Sequence, residues 1–177
     1  MPRLFSGLEL PHAVRLRLSM IRGQIPGAGW VDADDLHMTL RFVGDVDDDQ
    51  AHDFADCLAE IEQDAFDIKI SGTGAFGGAK PHAVYAAVEP CPELTMLQRA
   101  HDRAARAAGL APAPHPFQPH VTLARMRHGR ADAVARFLEE TGDLRIEPFR
   151  VERFVLFSAR PGTGGGPYAV EEAYTLA

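Results

Sequence analysis

The chain has 177 residues, 46% of them hydrophobic and 24% charged, which is enough apolar material for one domain with a proper core and excludes extensive disorder. Its net charge of −7 excludes a protein that coats nucleic acid through a long basic surface, because such binding rests on many phosphate contacts. Two cysteines, Cys57 and Cys91, exclude a disulfide framework or a Cys-x-x-Cys pair; Arg3, Glu9 and Arg15 interrupt the N-terminal segment where an export signal would be apolar, and no apolar run approaches membrane-spanning length. A cytoplasmic protein without a membrane partner is the expectation.

In chain order, alternation predicts a strand at Arg3 to Glu9, and apolar spacing through Val14, Leu18 and Ile21 predicts a helix that starts at Pro11 and is ended by the segment from Gly23 to Gly29. A strand over Asp35 to Val43 follows. "DVDDDQ" then has the carboxylates that complement a helix N-terminus and leads into "AHDFADCLAEIEQ". Two strands, "FDIKISGTG" and "HAVYAAVE", are joined by "AFGGAKP", whose glycines and proline favour a turn. The second half predicts a helix at Glu93 to Ala108, a strand through "PHVTLAR", a helix at Ala131 to Glu140, and strands at Ile146 to Ser158 and Tyr168 to Thr175, with "RPGTGGGP" as a hairpin connection.

Helix, His-bearing strand, helix, strand, strand thus occurs twice. Sliding the chain by 83 residues, the offset between His37 and His120, matches Thr39 with Thr122, Leu40 with Leu123, Phe54 with Phe137, Phe66 with Phe149, Tyr85 with Tyr168 and Glu89 with Glu172. The expected fold is α+β: one bilobal domain with an internal repeat over about residues 11–89 and 92–175, two pseudo-symmetric lobes, each an antiparallel sheet with helices on its outer face, and a cleft between them. The strand Arg3 to Glu9 is left outside the repeat. Since internal symmetry builds the cleft, a monomer is the expected state.

On a strand, residues i and i+2 share a face about 7 Å apart, so His37 lies beside Thr39 and His120 beside Thr122, while Met38, Leu40 and Phe42, and Val121 and Leu123, turn toward the helices. A single His-x-Thr is more simply read as a hydrogen-bonded or solvent-exposed histidine. Two copies at equivalent positions of a repeat put two imidazoles and two hydroxyls around one axis, which suits a small anion such as a phosphate, and imidazole titrates where acid and base catalysis needs it. "HVTLARMRHGR" adds Arg125, Arg127, His128 and Arg130, a basic patch sized for one or two phosphates in an acidic chain.

"HMTLRFVGD" and "PHVTLARMR", with "RLFSGLELP" at the start and Trp30 shortly before the first motif, resemble the two-histidine phosphoesterases. Among these, the likeness is to the RNA 2′,3′-cyclic phosphodiesterases of bacteria and archaea, historically called 2′-5′ RNA ligases, and it spans nearly the whole chain. The resemblance implies metal-independent hydrolysis of an RNA-terminal 2′,3′-cyclic phosphate, or of a small cyclic nucleotide, to a 2′-phosphomonoester with no cofactor. By motif position it makes His37 the proton donor and His120 the proton acceptor, has Thr39, Thr122 and Arg125 bind the phosphate, and leaves Leu40 and Leu123 as motif residues. Simple alternation, however, puts Arg125 on the face opposite His120 unless the strand bulges near Ala124, and puts Arg41 on the face of His37 as its competitor.

The remaining histidines show no compact metal-ligand spacing, and "GTGAFGGAK" fails the phosphate-loop pattern because Lys80 falls too late. Phe5, Trp30 and Phe42 are core aromatics or base-stacking platforms. Rival readings are a non-catalytic nucleotide-binding module of the same fold and a metal-dependent phosphohydrolase, while ligation would use the same residues in reverse.

Overall fold

The computed structural model describes residues 2–160 and 165–177, so the middle of "RPGTGGGP" lies outside the described residues. Over these residues it is an α+β fold of four α-helices, a single turn of 3-10 helix, two four-stranded antiparallel sheets and a small two-stranded sheet.

The first sheet has the order β10-β9-β1-β3, formed by β10 (Ala169–Thr175), β9 (Arg153–Ala159), β1 (Arg3–Glu9) and β3 (His37–Asp45). The second has the order β2-β7-β6-β5, formed by β2 (Gly29–Trp30), β7 (His120–Arg125), β6 (Ala83–Val88) and β5 (Ile70–Phe76). Strands β4 (Phe66–Ile68) and β8 (Phe149–Val151) pair with each other, and β3 and β7 lie side by side where the large sheets meet. Neither sheet is drawn from one half of the chain. Strand β1 sits beside β3 as β6 sits beside β7, so the strand left over by the 83-residue offset has a counterpart in the topology.

Helix α1 (His12–Ser19) buries Val14 and Leu18 and ends two residues before Ile21. Asp47 caps α2 (Asp48–Ala59) by accepting the Gln50 backbone N–H at 2.7 Å, and Asp48 and Asp49 complement the dipole in its first turn. Pro92 opens α3 (Pro92–Ala107), where its missing N–H costs nothing; Leu94, Leu97, Gln98, His101, Ala104 and Ala105 then form one buried face. Helix α3 packs on β3 and α2, whereas α4 (Ala131–Thr141) packs on β5 through a face carrying Val134 and Phe137. The predicted strand at Ile146 to Ser158 breaks at Glu152 into β8 and β9, which belong to different sheets.

Both histidine strands depart from simple alternation at the same place. In β3 the pairing with β1 jumps between Thr39, opposite Gly7, and Arg41, opposite Ser6, so Leu40 is an extra residue. In β7 the pairing with β6 jumps between Thr122, opposite Tyr85, and Ala124, opposite Val84, so Leu123 is the extra residue. These are β-bulges at the leucine of each His-x-Thr-Leu, and each puts two consecutive side chains into the interior: Leu40 with Arg41, and Leu123 with Ala124.

The parity expected beyond the bulges is therefore inverted. Phe42, expected on the helix side, is 49% exposed, and Arg41, expected beside His37, is 6% exposed beneath α3. There its Nε lies 3.0 Å from Oδ1 of Asp102, its Nη1 donates to the Phe42 carbonyl at 2.7 Å, and its Nη2 donates to the Ala111 carbonyl. Arg41 thus ties the first bulge to α3 and to the connection that leads into β7, and it is removed as a competitor for the cleft.

Beneath the first sheet, His101 is fully buried, with its Nδ1 2.6 Å from the Ser6 hydroxyl and its ring edge-on to Phe154 at 4.7 Å. Burial pushes its pKa from 6.5 down to about 3. As pH falls below 6.5 the unfolded chain binds a proton here that the native state refuses until about pH 3, so stability is full above 6.5 and declines across that window. Between pH 7.5 and 5 this site is expected to cost roughly 2 kcal/mol. Urea unfolding of His101→Gln, which keeps a partner for Ser6 but does not titrate, should show a loss smaller by that amount; an identical loss in both proteins would refute the assignment.

Candidate active site

Strands β3 and β7 each begin on their motif histidine, so each imidazole stands where the chain enters its sheet. The Nδ1–H of His37 donates to the Asp35 carbonyl at 2.7 Å, and the Nδ1–H of His120 donates to the Gln118 carbonyl at 2.6 Å. In both motifs the acceptor is the carbonyl two residues upstream. A carbonyl only accepts, so it fixes the proton on Nδ1 and leaves Nε2 of each neutral ring as the free basic atom. At His37 that atom accepts from the Thr39 hydroxyl at 3.0 Å.

Aromatic rings hold both imidazoles. His37 lies against Phe5 at 4.8 Å and Phe157 at 5.5 Å, with Tyr168 edge-on at 5.1 Å. His120 lies against Phe76 at 4.9 Å and Tyr85 at 5.3 Å, both edge-on, and the Tyr85 hydroxyl accepts from Gln118 Nε2 at 2.8 Å. Tyr85 and Tyr168, matched by the 83-residue offset, thus do the same work on the two histidines. Their supporting role was not foreseen from the sequence, although the offset carried the signal. Of the three suggested stacking aromatics, Phe5 is buried core, Phe42 lies exposed beneath the Arg3 guanidinium at 5.4 Å, and Trp30 packs on Phe137 at 5.6 Å.

The second bulge resolves the conflict over Arg125. With Leu123 and Ala124 both turned inward, Arg125 returns to the exposed face of β7, the face of His120 and Thr122. Its charge acts on both imidazoles. Burial, chiefly, pushes His37 from 6.5 down to about 4; the carbonyl bond to Asp35 opposes this, and the positive charges of Arg125 and His120 add to it. His120 is lowered as well, again by burial first, opposed by its bond to the Gln118 carbonyl and helped by Arg125. Without a bound anion both rings are therefore neutral at pH 7.

Beside this group a cavity of about 630 Å³, within the range of nucleotide-sized ligand sites, is lined by Trp30, Asp35, Arg125, Arg160 and Tyr168. Asp35 also braces the site from its carboxylate, whose Oδ1 accepts the Tyr168 backbone N–H at 3.1 Å. A larger hollow of about 1110 Å³ lies elsewhere, bordered by Glu62, Asp64, Asp67 and Glu93, and neither histidine reaches it. Among the described residues no three His, Cys, Asp or Glu side chains converge as metal ligands would, and no helix is long and apolar enough to cross a membrane.

Comparison with known proteins finds similar chains over most of this one. An Aeropyrum pernix RNA 2′,3′-cyclic phosphodiesterase is 33% identical over 137 residues, covering 73% of this chain and 78% of the relative. A Bacillus subtilis protein of the same name is 30% identical over 162 residues, covering 88% of this chain and 87% of its own. In fold, a Thermus thermophilus structure superposes with a TM-score of 0.81 at 24% identity over 98% of this chain and 97% of that one. Escherichia coli LigT complexed with 3′-AMP gives 0.79 at 24% identity, over 100% and 99% of the two chains. The profile of the 2′-5′ RNA ligase superfamily matches residues 10–163, and with a bulged His-x-Thr-Leu strand on each wall of its cleft the chain belongs to that superfamily.

Proposed function

We propose that this protein hydrolyses the 2′,3′-cyclic phosphate at RNA ends, or on small cyclic nucleotides, to a 2′-phosphomonoester, without a metal ion. The observation that carries this reading is the matched pair of imidazoles, each with Nδ1–H held by the carbonyl two residues upstream and both under the charge of Arg125. The names of the curated relatives point to the same substrate.

In this reading His120 Nε2 takes a proton from water as the water oxygen attacks phosphorus. The bond from phosphorus to the 3′ oxygen breaks in line, and His37 Nε2 delivers the proton that the leaving oxygen needs. Thr39, Thr122 and Arg125 hold the non-bridging oxygens and stabilise charge building there. Thr39 must then leave His37 Nε2, where its hydroxyl now rests. Because His37 is neutral in the free protein, its acid role depends on the bound anion, which offsets Arg125 and favours the imidazolium.

Each of His37→Ala and His120→Ala should lower kcat by on the order of 10²- to 10⁴-fold with the circular dichroism spectrum retained; near-normal turnover in either would remove the acid-base pair. The pH dependence follows from the directions of the two shifts. Rising pH removes the proton from His37 and falling pH blocks His120, so kcat/KM should peak below pH 6.5, with the peak of kcat displaced to higher pH by the bound phosphate. A rate that climbs without a maximum from pH 4 to 9 would contradict this assignment. Incubation with a cyclic-phosphate-ended oligonucleotide should yield the 2′-phosphate equally with and without EDTA; a 3′-phosphate product would reverse the roles of the histidines, and loss of activity in EDTA would favour a metal-dependent phosphohydrolase.

A further inference from the structure

The two walls of the cleft differ in charge. No strand of the second sheet, β2, β5, β6 or β7, contains Asp or Glu, whereas the first sheet carries Glu9 and Asp45, paired with Arg153 and Arg3, together with Glu171 and Glu172. The connections that rim the far end of the second sheet, residues 77–82 and 126–130, are equally free of carboxylates and carry Lys80, His82, Arg127, His128 and Arg130.

These two connections form one surface. The Met126 backbone N–H donates to the His82 carbonyl at 3.0 Å, and Gly129 lies so close to the Pro81 carbonyl that a Cβ there would collide with it. The rim is also continuous with the catalytic group. Arg125 pairs across the sheet with Ala83, and Phe76 stacks on His82 at 6.2 Å while meeting His120 at 4.9 Å. Arg130 is engaged by Asp132 at 2.9 Å, but Lys80 and Arg127 are exposed and form no ion pair among the described residues. In a chain of net charge −7, two exposed cations without an ion pair, on a rim where Arg130 takes up the neighbouring Asp132 carboxylate and beside a phosphate-binding arginine, form a local field for further phosphates.

We infer that this rim binds backbone phosphates of the RNA strand leading into the cyclic phosphate, so that the preferred substrate is an oligonucleotide end and not a cyclic mononucleotide. The inference rests on the proposed hydrolysis and extends it from the terminal phosphate to the strand behind it.

The test is a Lys80→Gln/Arg127→Gln double variant, with Arg99→Gln/Arg103→Gln on the exposed side of α3 as control. Binding of a fluorescent oligonucleotide ending in a 2′-phosphate, which needs no turnover, should weaken about tenfold, and its slope of log affinity against log salt should flatten by about 1.4, for two lost contacts to a single strand. Kinetic constants on a 2′,3′-cyclic mononucleotide should be unchanged, and the α3 control should match the original protein in both assays. Unchanged oligonucleotide affinity in the rim variant, or an equal loss on the mononucleotide, would overturn the inference. If the original protein turned over neither substrate, the catalytic reading would fail while the binding comparison still decided the role of the rim.

Discussion

The candidate site depends on one backbone constraint applied twice: an extra residue at the leucine of each His-x-Thr-Leu motif. An undistorted strand after His120 and Thr122 would next aim Ala124 into the cleft and bury Arg125. With Leu123 inserted, two apolar side chains face the core in succession and the guanidinium returns to the histidine face. The same insertion at Leu40 has the opposite chemical outcome, because there Arg41 occupies the inward position and Phe42 the outward one. One geometric device thus makes the first wall apolar beyond its threonine and the second wall cationic. At both bulges the extra residue is a leucine whose side chain is buried in the core.

Holding a histidine ready for proton transfer sets two demands that conflict. Its orientation must be restrained, which favours burial, yet burial drives out the charge that an acid needs. Both imidazoles are restrained by aromatic rings and a single carbonyl, and burial, which outweighs the carbonyl bond, favours the neutral form of each. A carboxylate partner would instead raise the pKa and favour the charged form. With a carbonyl behind Nδ1, the nitrogen that each neutral ring turns outward is the basic Nε2.

Much of this arrangement was readable in the sequence because repetition made weak signals comparable. The order of elements, the paired motifs and the face shared by each histidine with its threonine all follow from period-two alternation and an offset. Alternation failed where pairing across the sheet changed register, since a bulge is specified jointly by two strands and β3 alone does not announce that Ser6 faces Arg41. The short β2 and the break at Glu152 were invisible for a similar reason: each is decided by which sheet has room for the chain. Tyr85 and Tyr168 were visible as a match, but the rings they support become apparent only when β6 lies beside β7 and the segment before β10 lies against Asp35.

The exchange of strands between the halves bears on the order in which the chain acquires its shape. Strand β1 can pair with β3 once Asp45 has been made, but its other edge is completed by β9, whose residues Val155 to Ala159 follow only about 110 residues later. Until then Leu4, Phe5 and Leu8 belong to a strand with one open edge, and Phe157 is missing from the rings around His37. Strand β7, by contrast, finds β6 already made and can close His120 against Phe76 and Tyr85 at once. The two walls, alike when finished, are reached by a local route and a distant one, and the long-range pairing is the step expected to govern the folding rate.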